Sequence, residues 1–176
     1  MKLMPENVEI KARLRDPARA EEIAARLSGG QGEVIRQEDV FFPCERARLK
    51  LRMLGPDSGE VIRYERPDLA AARSSRYVIA RTPDPRNLLE ILTETLGTAG
   101  TVKKTRRLFL VGQTRVHIDE VEGLGSFLEL EVVLTPAQSE SEGRRIAEQL
   151  LSEFAIGPEQ LMAEAYVDLL RAAVSA

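Results

Sequence analysis

The chain has 176 residues, 43% hydrophobic and 30% charged, which suits one soluble domain (residues 1–176) with an adequate core. Its formal charge of −3, despite 25 Lys and Arg, argues against a general nucleic-acid binder, which shows a net basic footprint. No apolar run is long enough to span a membrane, and the charged start MKLMPENVEIKARL does not read as a signal peptide.

A single cysteine, Cys44, leaves no internal disulfide and fits a reducing cytoplasm. With only Cys44 and His117 as soft ligands, a structural zinc site lacks donors. The location of the cations therefore becomes the main question.

Residues 7–14 (NVEIKARL) alternate, with Val8, Ile10, Ala12 and Leu14 on one face and Glu9, Lys11 and Arg13 on the other, which predicts a strand. Asp16-Pro17 opens a helix as N-cap and first helical residue, Ala20, Ile23, Ala24 and Leu27 form its stripe, and Gly29-Gly30 end it. Residues 33–42 read as a strand closing on Phe41-Phe42. In the next strand, 48–53 (RLKLRM), Arg48, Lys50 and Arg52 face one way and Leu49, Leu51 and Met53 the other.

Residues 55–59 (GPDSG) read as a hairpin loop leading to a strand over 60–66 (EVIRYER), which Pro67 ends before a polar loop. Ser75, Tyr77 and Ile79 share a face of another short strand. Asp84-Pro85 repeats the helix start, and this helix buries Leu88, Leu89, Leu92 and Leu96 before stopping at Gly97. Residues 101–111 (TVKKTRRLFLV) form a strand with Lys104 and Arg106 on one face, and Gly112-Gln113 is a tight turn.

Thr114 to Leu134 (TRVHIDEVEGLGSFLELEVVL) reads as two strands around a Gly-rich turn. Arg115, His117 and Asp119 share one face, and Glu129 and Glu131 another, against Leu128, Leu130 and Val132. Ser139 to Glu142 has capping-box spacing before a helix carrying Ile146, Leu150, Leu151 and Phe154. Gly157-Pro158 breaks that helix, and an amphipathic segment over 161–170 (LMAEAYVDLL) closes the reading.

About eight hairpin-linked strands with flanking helices predict an α+β fold built on a closed antiparallel barrel, because open edges on so large a sheet are hazardous. If the apolar faces pack under helices, the charged faces point into the barrel. In an open sheet they would point to water. A cation-lined interior must hold water and an anionic ligand, since unpaired buried charge is costly. Clustered Arg and Lys suit phosphate, and neighbouring carboxylates suit Mg²⁺ or Mn²⁺. Together they are the ingredients of phosphoryl or nucleotidyl transfer.

These segments, from VEIK through LKLR, IRYERPD, VKKTRRLFLVG and TRVHIDEVEGLGSFLELEV to AYVDLL, resemble the CYTH domain in order and spacing. That is the triphosphate tunnel metalloenzyme fold shared by class IV adenylate cyclases and thiamine triphosphatases. The resemblance covers nearly the whole chain and implies an eight-stranded antiparallel tunnel binding a triphosphate-containing small molecule and a divalent metal. By position it implies Glu9, Glu129 and Glu131 as metal carboxylates, with Asp119 near them. Lys11, Lys50, Arg52, Arg66, Lys104 and Arg106 would hold the triphosphate, with Lys11 and Glu9 also in the catalytic role. The AYVDLL segment would close one end as a helix, and the resemblance admits a homodimer.

One departure stands out. Where the family signature reads Glu-x-Glu-x-Lys, this chain has Asn7-Val8-Glu9-Ile10-Lys11, which leads to the expectation that one metal binds well and a second weakly. His117 reads more naturally as a hydrogen-bonded strand residue than as a ligand. Asp119 fits either metal ligation or pairing with an arginine, and Arg13, Arg48 and Arg115 fit structural counter-charges. Three activities remain: hydrolysis of inorganic, nucleoside or thiamine triphosphate, which is favoured; cyclic AMP formation with release of pyrophosphate; and non-catalytic polyphosphate or nucleotide binding.

Overall fold

The computed structural model describes residues 6–65 and 71–174. Eight strands form a closed antiparallel barrel: β1 (Glu6–Arg13), β2 (Glu33–Phe42), β3 (Arg48–Gly55), β4 (Ser58–Glu65), β5 (Arg73–Thr82), β6 (Gly100–Val111), β7 (Thr114–Val121) and β8 (Gly125–Val133). Around the barrel they run β5-β4-β3-β2-β6-β7-β8-β1, and the first residues of β1 pair back onto β5. Where β5 leaves β1, the two-residue strand β9 (Leu161–Met162) takes over opposite Lys11 and Ala12. Closure removes the open edges that would otherwise invite pairing with other chains.

The helices follow their caps. In α1 (Pro17–Ser28), the Asp16 side chain accepts from the Arg19 N–H, and Gly29 ends the helix at φ +70°. In α2 (Pro85–Leu96), Asp84 accepts from the Asn87 N–H. Both halves of the capping box of α3 (Glu140–Glu153) are present, between Ser139 and Glu142. The last helix, α4 (Tyr166–Val174), follows β9.

The hydrophobic core lies outside the barrel. Val8, Ile10, Val116, Ile118, Leu128, Leu130 and Val132 point outward and pack with Ala20 and Ala24 of α1 and Ala147, Leu150 and Leu151 of α3. Gly143 lets α3 sit directly on β1, since a Cβ there would lie 2.7 Å from both Val8 Cγ2 and Leu134 Cδ2. A second layer sets Leu88, Leu89 and Leu92 of α2 on Val40, Phe42 and Leu51. The third cluster gathers Phe41, Val102, Val121 and Phe127 under Ala165, Tyr166 and Val167, so α4 lies across one end of the barrel.

Three local expectations change. The loop expected over 55–59 shrinks to the turn residues Pro56-Asp57, because the flanking strands run through Gly55 and from Ser58. Leu96 is exposed, since it sits in the last turn of α2 beyond the contacting stripe. The expected amphipathic segment over 161–170 divides into β9 and the start of α4, because Leu161 and Met162 are taken up as an edge on β1. Arg66 and the Pro67 break lie outside the described residues.

Leu128 is fully buried between β8 and the helix layer. Truncation in such a site removes transfer energy and leaves a cavity. Leu128→Ala is expected to lose about 2–5 kcal/mol of unfolding free energy, read from the shift of the urea midpoint.

Candidate active site in the barrel interior

Residues directly opposite on paired strands share a face, so the register determines what lines the interior. Lys50 lies across from Phe41 and Ile62, and Arg52 across from Asp39 and Glu60. Arg106 lies across from Asp119, Glu129 from His117 and Lys11, and Glu131 from Arg115 and Glu9. These side chains, except the fully buried Asp119, surround a cavity of about 420 Å³. Of the expected site residues, Glu9, Lys11, Lys50, Arg52, Lys104, Arg106, Glu129 and Glu131 line it together, with Asn7 beside them; Arg66 lies outside the described residues.

Internal carboxylates organise the cations. Asp39 accepts from Lys50 Nζ at 2.6 Å and from Arg52 Nε and Nη2 at 2.8 and 3.0 Å. Burial alone would raise its carboxyl, but Lys50 and Arg52 outweigh that and hold it well below the ordinary range. The sequence reading missed Asp39. Its position two residues from the buried Phe41, on the same strand face, was the available signal.

Asp119 forms the second cluster. It accepts from Lys104 Nζ at 3.0 Å, from Arg106 Nε at 2.6 Å and Nη2 at 2.7 Å, and from the Tyr166 hydroxyl at 3.3 Å. Its oxygens are thus committed to cations, which makes it their counter-charge. Of the two roles open to it from sequence, the geometry matches pairing with arginine.

Tyr166 was also missed. Its ring carries Lys11 Nζ 4.1 Å and Lys104 Nζ 5.2 Å from the centroid, both within cation–π range. Lys11 Nζ also donates to the Glu164 carbonyl at 2.9 Å, so the segment leading into α4 positions it. Arg48 pairs with Asp168 of α4 at 2.7 Å and thus anchors the closing helix, as a structural counter-charge.

A third group gathers possible metal donors. His117, Glu129 and Glu131 each offer a ligand atom, all within 4.8 Å of one another. Glu129 Oε2 accepts from Arg106 at 2.8 Å, and Glu131 Oε2 accepts from Arg115 at 3.3 Å. The Nδ1 atom of His117 is buried without a hydrogen-bond partner, 3.9 Å from Glu131 Oε1. The Asn7 Oδ1, two residues from Glu9, is likewise buried and unpartnered. One nitrogen and two carboxylates within 4.8 Å of one another make a donor set that fits a divalent cation.

Burial tunes these groups unequally. Burial, then the charge of Glu129, raises Glu131, whereas Arg106 and Lys11 overcome burial and hold Glu129 well below the ordinary range. Burial, then Arg106, keeps the His117 imidazole neutral. Burial and the neighbouring Arg52 bring Lys50 down to about 7, despite Asp39.

The chain belongs to the CYTH domain family, whose profile matches residues 5–166. Membership supports an enzyme class that acts on triphosphates inside its tunnel. A Methanocaldococcus jannaschii protein, provisionally named an adenylate cyclase, is 22% identical over 92% of this chain and 97% of its own length. The solved PH1012 protein of Pyrococcus horikoshii superposes with a TM-score of 0.77 at 22% identity, over 93% of this chain and 98% of its own. A Vibrio parahaemolyticus structure with a provisional adenylate cyclase name gives 0.70 at 18% identity, over 96% and 98%. These likenesses establish the tunnel fold. No helix among the described residues is long and apolar enough to cross a membrane.

Lys50 carries its charge below pH 7 and loses it above, so binding of an anion there takes up a proton at higher pH. Tripolyphosphate affinity is expected to weaken, relative to Lys50→Arg, by up to about tenfold per pH unit above 7. Calorimetric titrations of both proteins at pH 6.0, 7.0 and 8.0 check this, and parallel profiles would contradict it.

Proposed function

We propose that the protein is a metal-dependent enzyme that hydrolyses a triphosphate-containing substrate bound in the barrel. The supporting observation is the arrangement of the half-buried Lys50 and Arg52 on β3 and the buried Lys104 and Arg106 on β6, two strands that flank β2, beside the carboxylates of β8. These four cations bind the phosphate oxygens and stabilise the charge that develops there. Asp39 and Asp119 hold them oriented before substrate arrives, so little reorganisation is needed in the transition state.

Glu129 and Glu131, with Glu9 on the neighbouring strand, would hold Mg²⁺ or Mn²⁺, which when bound neutralises charge on the phosphates. Lys11, opposite Glu129 and held by the Glu164 carbonyl, orients the attacking water. The water oxygen bonds to the terminal phosphorus as the bond to the bridging oxygen breaks. Its proton passes to solvent, and the shortened phosphate chain leaves.

A second reading has its own support. The β4–β5 side of the cavity presents Ile62, Tyr64, Tyr77 and Ile79 alongside Glu60, Ser75 and Arg81, and its apolar and aromatic side chains offer a surface against which an adenine can lie. In that reading the ribose 3′-hydroxyl attacks the α-phosphorus and pyrophosphate leaves, giving cyclic AMP. The provisional names of the relatives point the same way.

Purified protein supplied with inorganic triphosphate, ATP or thiamine triphosphate, each with Mg²⁺ and Mn²⁺, separates the readings by product. Released phosphate is expected. Cyclic AMP with pyrophosphate would establish the second reading, and binding without turnover in either metal would exclude both. Lys11→Ala and Glu129→Gln are expected to lower kcat roughly 10²–10³-fold while far-ultraviolet dichroism stays unchanged.

A further inference from the structure

His117 stands out among the interior groups because its place in the fold is not accounted for by ion pairing. It is 3% exposed, and its Nδ1 has no hydrogen-bond partner. An orphaned buried polar atom is costly, so a native fold retains one where something else satisfies it. The atoms around this nitrogen are carboxylate oxygens. Glu129 lies directly across from His117 on β8, and Glu131 Oε1 is 3.9 Å from Nδ1.

The two glutamates are themselves held from behind. Arg106 takes Oε2 of Glu129 and Arg115 takes Oε2 of Glu131. Outer hydrogen bonds of this kind orient carboxylates that ligate a metal. The hydrogen bonds to arginine engage Oε2 of each glutamate, and Oε1 of Glu131 faces the nitrogen that lacks a partner. The three ligand atoms lie within 4.8 Å of one another. Two donors about 2.1 Å from a shared ion lie at most roughly 4.2 Å apart, and three spread evenly around it about 3.6 Å apart, so side-chain shifts of about an ångström bring them to ligation distance.

We propose that His117 is a ligand of the metal through Nδ1, completing a nitrogen–oxygen–oxygen site with Glu129 and Glu131 that prefers Mn²⁺ to Mg²⁺. The inference rests on the metal-dependent reading of the barrel and deepens it. Mg²⁺ takes oxygen ligands in near-ideal octahedral geometry, whereas an imidazole nitrogen suits first-row transition ions.

His117 is the only histidine in the chain, which makes the test specific. The untagged protein is loaded with Mn²⁺, without substrate, and its electron spin-echo modulation is compared with and without ¹⁵N-histidine labelling. A change in nitrogen modulation on labelling is expected. Bound Mn²⁺ with unchanged modulation would overturn the proposal while leaving the metal reading intact.

Calorimetric titration of wild type and His117→Gln with Mn²⁺ and with Mg²⁺ supplies a second readout. The wild type is expected to prefer Mn²⁺ by about tenfold or more, and the variant to lose most of that preference. A purely structural role for His117 would lower the thermal midpoint of the variant and leave the Mn²⁺ to Mg²⁺ ratio unchanged, which overturns the proposal. A wild type that binds neither ion overturns the metal reading and this inference together.

Discussion

The structure depends on keeping charge inside a closed barrel. Desolvating several cations in one interior is prohibitive unless carboxylates meet them with good geometry. Asp39 and Asp119 do so, each holding a lysine and an arginine, with both arginine contacts bidentate. The two clusters resemble each other in design: an acid from one strand grips a Lys-x-Arg pair on its neighbour. The pairing that makes the interior tolerable also fixes the cations in place for a ligand.

This inward commitment of charge determines where stability comes from. A barrel whose inside is polar has no internal hydrophobic core, so the outward faces of the strands must supply one. They do so under α1 and α3 on one side and α2 on another. The closing helix α4 joins the two kinds of layer. Tyr166 packs on Phe127 with ring centroids 4.8 Å apart, sits beneath Lys11, and donates to Asp119. Packing at the end of the barrel is therefore physically continuous with the electrostatics of the site.

The site is divided along its wall. Strands β1, β3, β6 and β8 each present two charged side chains to the cavity, while β4 and β5 present Ile62, Tyr64, Tyr77 and Ile79 together with Glu60 and Arg81. A ligand with a phosphate chain and an organic end would match both surfaces. Strand alternation turns Ile62 and Tyr64 of β4 inward beside Glu60, as it turns Lys104 and Arg106 of β6 inward.

Alternation and caps were legible in the sequence because they are local. Lys50 and Arg52 had to share a face, as did Lys104 and Arg106, and Asp16-Pro17, Asp84-Pro85 and Ser139–Glu142 had to open helices. Which residues oppose one another depends on register between strands far apart in the chain. That is why Asp39 went unrecognised as the partner of Arg52, and why the role of Asp119 stayed divided between metal and arginine. His117 read from sequence as an ordinary strand histidine. Only the fold sets it against Glu129 and Glu131 with an unsatisfied nitrogen. The sequence by itself determined the faces of the strands, since side chains alternate whatever their partners. The tertiary structure decided what each face meets, because closure brings together charges whose separation along the chain carries no local signal.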